Sequence, residues 1–294
     1  MSQTTAIGVD VGGTNIRAAR ISEGGGILEW KAHPTAIQPN LVVAQISELL
    51  QSLDDGSVTA IGIGLPGRVD AAGGHVLSGG YVDLTGAPLA VKLRQTFAGP
   101  VIIDNDCNMA LVAEQAVGRG RNISNVIMFT IGTGIGGAVF GNDRIFRGSA
   151  TAGQLGHLTV DVNGELCLCG RRGCVETTSS GKALGRHLAS AGLDPATSVD
   201  ALLSNSENGD THSSSVLALW VTPLRAAIDS AVAAFDPELV LLGGGLGNAA
   251  HRALARFPAV AAWYQCPVEP AELGDRAGVI GAGLSALASR SQKP

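Results

Sequence analysis

Residues 6–21, AIGVDVGGTNIRAARI, and residues 125–140, NVIMFTIGTGIGGAVF, share one order: an apolar run, a glycine turn, and a second apolar run. Short apolar runs bounded by turn residues are the pattern of buried strands. The first copy predicts strands over 6–11 and 16–21 joined by GGTN, and a third over 27–32 after the turn SEGGG. Helical spacing in LVVAQISELLQSL, 41–53, then leads to a continuous apolar strand, TAIGIGLPG, 59–67. PVIIDND, 100–106, reads as a buried strand ending in acids, followed by a helix over NMALVAEQAVG. The second copy continues in the same way: an Asn142-Asp143 hairpin turn, a third strand, and later a helical region ending near Phe235 that feeds the strand PELVLLGGGLG. Two halves of one order predict an α/β fold of two similar domains made by internal duplication. A small-residue helix, GVIGAGLSALASR, closes the chain. The expected domains are 1–117 and 118–277, with a helix over about 278–294 packing back on the first.

Composition limits what such a fold can do. The chain has 294 residues, 45% hydrophobic and 4% aromatic, enough to bury a substantial core. Its 41 glycines follow no three-residue period, so they mark tight turns rather than collagen or a disordered tail. A net charge of −5 with Lys and Arg scattered singly offers no basic stripe for nucleic acid or anionic lipid. The opening MSQTTAIGVDVGGTN lacks the basic start and apolar stretch of a signal peptide, and the longest apolar region, around 217–235, is broken by Pro223, Arg225 and Asp229. These features predict a cytoplasmic protein with neither a membrane nor a nucleic-acid partner.

That compartment governs the reading of QLGHLTVDVNGELCLCGRRGCVE, 154–176, which holds three of the five cysteines and one histidine. Cytosolic thiols stay reduced, so a tight cluster there points to metal rather than disulfide. His157, Cys167, Cys169 and Cys174 form a Cys3His set that can close a tetrahedron around Zn²⁺, with Gly170 and Gly173 allowing the turn. The set leaves no open coordination position, so the metal is expected to be structural; the alternative is a chance group of buried thiols. Cys107 and Cys266 lie far off in sequence and read as plain buried thiols.

Three glycine turns and an acidic strand end supply the chemistry. DVGGTN, 10–15, presents backbone N–H groups of Gly12, Gly13, Thr14 and Asn15 to a phosphate, and Asp10 can hold Mg²⁺ through water; a simple hairpin turn is the equal alternative. GTGIGG, 132–137, matches a dinucleotide fingerprint in form, but a hairpin follows it instead of a helix. It reads instead as a second phosphate turn, with Gly132, Thr133, Gly134, Gly136 and Gly137 as its members. GGGLGN, 243–248, leaves Gly244 and Gly245 bare for an adenine or ribose. In DNDCN, 104–108, a carboxylate at a strand end can take the proton of a hydroxyl attacking phosphorus, or simply cap the next helix; Asp106 suits either role.

Together these motifs resemble the ROK family of sugar kinases, bacterial members of the actin/hexokinase-like ATPase superfamily, over nearly the whole chain. DVGGTN, DNDCN and GTGIGG carry the resemblance, with 154–176 standing for the family's E-x-G-H followed by C-x-C-G-x-x-G-C-x-E. The resemblance implies two similar actin-like (ribonuclease H-like) domains with a cleft between them, the second bearing a zinc-braced loop. It also implies ATP as phosphoryl donor, Asp106 as base, and a homodimer. Asn105, His157 and Glu176 would bind sugar hydroxyls, His157 ligating zinc through its other nitrogen, and Gly67 and Arg68 would line the same cleft. Two departures fall on the sugar side. Gln154 replaces the acid of E-x-G-H, and Gly79, Gly80 and Leu84 stand where many sugar-specific members carry Pro-Asn and later Trp. Bacterial N-acetylmannosamine kinases also accept a non-acid at the Gln154 position, so the expected substrate is an N-acylated hexosamine, N-acetylmannosamine first. Glucokinase, N-acetylglucosamine kinase and cyclitol kinase are the alternatives, and a sugar sensor without catalysis is the rival of another class. ROK repressors carry an added N-terminal helix-turn-helix; this chain opens at the phosphate strand, which points to the kinase branch.

Overall fold

A computed structural model describes residues 4–79, 82–259, 263 and 265–290. They form two compact units, the first of 1–122, 145–152 and 275–294, the second of 123–144 and 153–274. Residues 145–152, expected in the second domain, group with the first. There Arg147 forms an ion pair with Asp104, which sequence order does not reveal.

In the first unit, β1 (Thr5–Val11), β2 (Asn15–Ser22) and β3 (Ile27–Pro34) form an antiparallel meander. Helix α1 (Pro39–Leu53) leads to β4 (Val58–Leu65), and a small hairpin, β5 (Arg68–Asp70) and β6 (His75–Ser78), follows. Helix α2 (Leu89–Thr96), β7 (Val101–Asn105) and α3 (Asp106–Val117) complete the run, and the sheet order is β3-β2-β1-β4-β7. β1, β4 and β7 are parallel. Their cores read as continuous apolar runs because both faces are covered: Ile7, Val9, Ile61, Ile63 and Ile103 are all buried.

The second unit repeats this topology with β8 (Val126–Ile131), β9 (Ile135–Gly141) and β10 (Arg144–Ile145), joined at Asn142 and Asp143, both left-handed at φ 53° and 58°. Such a pair of positive φ angles is the type I′ geometry that matches strand twist. Helices α4 (Glu176–Ser179), α5 (Gly181–Ser190), α6 (Val199–Glu207) and α7 (Thr211–Phe235) come next. Then follow β11 (Leu239–Gly243), α8 (Gly247–Leu254) and β12 (Val268–Pro270), giving the order β10-β9-β8-β11-β12. α7 is long and apolar enough to cross a membrane, yet it is a core helix. Trp220, Leu224 and Ile228 are buried in the second unit's core, and the Trp220 indole donates to the Ser180 carbonyl at 3.2 Å.

The last helix, α9 (Ala277–Arg290), belongs to the first unit and explains the small residues of its sequence. A Cβ on Gly62 of β4 would sit 1.9 Å from the Ala282 carbonyl oxygen, and one on Gly281 would sit 1.7 Å from that of Met109 in α3. Backbone therefore packs on backbone, and no rotamer change can relieve an added methyl. Gly281→Val is expected to lower unfolding free energy by about 3 kcal/mol or more, the upper range for overpacked cores. Urea unfolding measures this; a loss under about 1 kcal/mol would show that the helix can shift away.

Candidate active site

Parallel register brings the acidic residues of the first unit to one edge. Asp10 of β1 lies opposite Gly64 of β4, which lies opposite Asp104 of β7, while Leu65 lies opposite Asn105. The three strands thus end together, and ligands of open α/β sheets bind outside such carboxyl ends. Asn105, not Asp106, caps α3: its Oδ1 accepts from the N–H groups of Cys107 and Asn108 at 2.9 and 3.2 Å. Its Nδ2 donates to the Gly67 carbonyl and to Asp106 Oδ1, both at 2.9 Å. An amide has two donor and two acceptor positions, and all four are engaged here, so Asn105 organises the turn and keeps no free group for a sugar. Gly67 accepts at a backbone φ of 92°, which glycine alone adopts without strain.

Capping by Asn105 frees Asp106 for chemistry. Its Oδ1 accepts from Asn105 Nδ2, from Cys107 N at 2.9 Å and from Cys107 Sγ at 3.4 Å. Among the described residues Oδ2 has no donor. Burial raises Asp106 to about 6, with the Cys107 and Asn105 hydrogen bonds pulling the other way. A carboxylate at that value is ionised at neutral pH yet basic enough to accept a proton. Burial, reinforced by the charges of Asp106 and Asp275 and opposed by Arg17, raises Asp10 to about 7. Arg17 approaches Asp10 at 3.8 Å and pairs more closely with Asp275 at 3.0 Å. An electron-rich, partly buried carboxylate of this kind fits a hydrated Mg²⁺.

Gly13 and Thr14 are exposed at the tip between β1 and β2, with the turn closed by Gly12 N–H to the Asn15 carbonyl at 3.0 Å. Arg68 is exposed and reaches Thr151 Oγ1 at 3.4 Å. A Cβ on Gly79 would meet Asp83, Leu84 is buried in the first core, and Gly80 lies outside the described residues.

In the second unit the turns after β8 and β11 lie side by side, because Gly243 is in register with Thr130. Gly132, Thr133 and Gly134 form the first turn, whose Gly132 carbonyl accepts from Gly181 N–H at the start of α5. Gly136 and Gly137, read as members of that turn, are strand residues of β9 instead. Gly137 is bare because a Cβ there would sit 2.6 Å from Leu155. Gly244 and Gly245 are exposed beyond β11, Gly244 at φ 77°.

The segment 154–176 is fastened to this edge at both ends. A 3-10 turn, Leu155–His157, lies so close to β9 that a Cβ on Gly156 would be 1.9 Å from the Ile135 carbonyl oxygen. Glu176 Oε2 accepts from Ile135 N–H at 2.9 Å. Gln154 is half-buried, and its side chain has no hydrogen bond among the described residues. Between these ends, ligand atoms of His157, Cys167, Cys169 and Cys174 all lie within 4.8 Å of one another. Cys169 and Cys174 sulfurs are 3.5 Å apart, and His157 presents Nδ1 to Cys167 Sγ at 3.6 Å. Burial pushes Cys174 up to about 12; burial opposes ionisation of Cys169 too, but hydrogen bonds from Arg171 and the other thiols bring it down to about 7. The loop has little apolar core, with Val162, Leu166 and Leu168 at 77%, 66% and 94% exposure. A Cys3His set at one point of a coreless loop fits a tetrahedral Zn²⁺. Of the remaining cysteines, Cys107 is buried and Cys266 only half-buried.

Sequence reasoning missed Arg147. Its Nε and Nη2 both donate to Asp104 Oδ2, the former at 3.0 Å, across 43 positions of chain. Nothing local marks that pair.

The ROK family profile matches residues 6–290, and the chain belongs to that family. It is 29% identical to a glucokinase of Thermotoga maritima, over 96% of this chain and 97% of that one. It is 31% identical to an N-acetylmannosamine kinase of Yersinia pseudotuberculosis, over 96% and 98%. Among solved structures, a ROK family glucokinase from Streptomyces griseus in complex with glucose and AMPPNP is similar at a TM-score of 0.81 and 28% identity, over 97% of this chain and 99% of that one. The protein is an ATP-dependent sugar kinase.

Proposed function

We propose that this kinase phosphorylates an N-acylhexosamine, N-acetylmannosamine first, at the 6-hydroxyl, with Asp106 as general base. The observation that carries the base assignment is the convergence of three donors on Asp106 Oδ1, which leaves Oδ2 to receive a proton. As the sugar oxygen bonds to the γ-phosphorus, its proton passes to Oδ2 and the bond from phosphorus to the bridging oxygen breaks, releasing ADP. The backbone N–H groups of Gly13 and Thr14 and of Thr133 and Gly134 hold phosphate oxygens, those of Gly12 and Gly132 closing their own turns on the Asn15 and Gly134 carbonyls, while Gly244 and Gly245 lie against the adenosine. Asp10 orients hydrated Mg²⁺, which when bound offsets the phosphate charge. His157, Cys167, Cys169 and Cys174 would hold Zn²⁺, which would brace the loop and supply no chemistry to the transfer. His157 Nε2 and Glu176 Oε1 are then available to sugar hydroxyls, with Gln154, Gly67 and Arg68 as further contacts.

The choice of an N-acylhexosamine rests on Gln154. An uncharged amide both donates and accepts, which suits a substrate less dependent on an anionic contact than glucose. ADP release with Mg-ATP and a panel of glucose, fructose, N-acetylglucosamine, N-acetylmannosamine and cyclitols tests the reading. N-acetylmannosamine is expected to exceed glucose in kcat/KM by about tenfold or more, roughly the discrimination of one well-placed polar contact. A glucose preference would overturn the substrate and favour the glucokinase relatives. Silence with sugar binding retained would favour a sensor.

A further inference from the structure

We infer that Arg147 is a positioning residue for phosphoryl transfer, acting through Asp104 and Asn105 on the base. The inference rests on the reading of Asp106 as that base. Asp104 is 1% exposed, and each of its oxygens has a separate task. Oδ1 accepts from Asn105 N–H at 2.7 Å and from Asn108 Nδ2 at 2.9 Å. Oδ2 accepts the fork of Arg147, and among the described residues no other cation pairs with Asp104. The chain of contacts runs from the guanidinium through Asp104 to the Asn105 main chain, and from the Asn105 amide to Asp106 Oδ1.

Asp104 serves this chain by accepting at both oxygens. The fork of Arg147 fixes the direction of Oδ2 and with it the rotation of the carboxylate. Without that fork the carboxylate can turn, and Oδ1 loses part of its grip on the Asn105 and Asn108 donors. Arg147 is itself fixed, because its carbonyl accepts from the N–H groups of Ala150 and Ala152 at 2.9 and 3.0 Å. It therefore joins the 145–152 segment to the turn that carries the base. A planar guanidinium fits this task better than an ammonium, since two of its N–H groups meet one oxygen from a fixed direction. The ATP-side turn at Gly12 to Asn15 lies outside this chain of contacts, so its phosphate binding is independent of Arg147.

The test is steady-state kinetics of Arg147→Lys and Arg147→Gln with Mg-ATP, using N-acetylmannosamine or glucose, whichever the unaltered enzyme turns over, with Asp106→Asn in parallel and circular dichroism melts of all three. Arg147→Lys keeps the buried charge pair and with it the fold. Its kcat is expected to fall about tenfold, that of Arg147→Gln about 100-fold, the latter being the scale of a slight misplacement of a catalytic group. KM for ATP is expected to stay within about twofold, since only transition-state geometry is lost. A Lys variant with unchanged kcat, or one whose KM for ATP rises while kcat holds, overturns the inference. If Asp106→Asn keeps full turnover, the base reading fails and takes this inference with it; if that variant is dead while Arg147→Lys matches the unaltered enzyme, only the role of Arg147 falls.

Discussion

Asp106→Asn is expected to lower kcat by about four orders of magnitude, the upper range for loss of a general base, while the fold persists. The amide is nearly isosteric, and its oxygen can still accept the hydrogen bonds that Asn105 and Cys107 make to Oδ1. What it cannot do is take the proton of the attacking hydroxyl. In the unaltered enzyme, kcat/KM should rise with pH through an apparent value of about 6, the raised value of Asp106, because only the ionised form acts as base. Stability runs in the opposite direction. The folded value of about 6 exceeds the ordinary aspartate value of 3.8, so the fold holds this proton more tightly than the unfolded chain. The stability this carboxyl contributes is fully present below the unfolded value and is lost as pH rises through about 6. Asp106→Asn should therefore melt at or above the unaltered temperature at pH 8. Near-normal turnover in the variant would remove Asp106 from the mechanism.

Loss of the proposed zinc is the second large effect expected. Cys174→Ser, or extraction of metal by a chelator, is expected to raise KM for the sugar by about 100-fold, the scale seen when groups that orient a site are removed. The base of the loop between His157 and Glu176 is tied by the Thr159 to Cys174 bridge and by Leu158 and Val160 packing on the second core. Its tip, with Leu166 and Leu168 exposed, has the Leu166 to Arg172 bridge, a few turn hydrogen bonds and the four-residue ligand set. Released, it should be cut by protease between 159 and 174 while the core around Trp220 stays intact. Because Glu176 also holds Ile135 N–H beside the Gly132 to Gly134 turn, a smaller rise in KM for ATP should accompany the loss. Elemental analysis should find about one zinc per chain. Full activity in a protein free of metal would dismiss the zinc reading.

How much of this was legible differs from residue to residue. The meanders at 5–34 and 126–145 were readable because strand period and turn chemistry are properties of neighbours: apolar runs, glycines, and Asn142-Asp143 poised for positive φ. The Cys3His set was readable for the same reason, since its members lie within a short span and their softness suits one kind of metal. Helix α2, the β5–β6 hairpin, and α4 through α6 were not read, because their short, mixed sequences gain their contacts from distant elements, α2 and the hairpin from β7 and the other three helices chiefly from α7.

The remainder depended on closure of the chain over long separations. Whether Asn105 or Asp106 caps α3 turned on the position of the Gly67 carbonyl, 38 residues away. That position also consumed the amide expected to bind sugar. Gly136 and Gly137 passed from phosphate turn to strand because they pair with Thr130 and Phe129 of β8, and Gly137 leaves the space that Leu155 fills. Arg147 found Asp104 only once the 145–152 segment returned to the first unit. The sequence by itself determined the duplicated α/β order, the acidic strand end, and the Cys3His set, all of which follow from residues acting on their near neighbours. Only the tertiary structure decided which oxygen of Asp106 is open and which cation pairs with Asp104, because a hydrogen bond or a buried ion pair is settled by which distant groups the fold brings within about 3 Å.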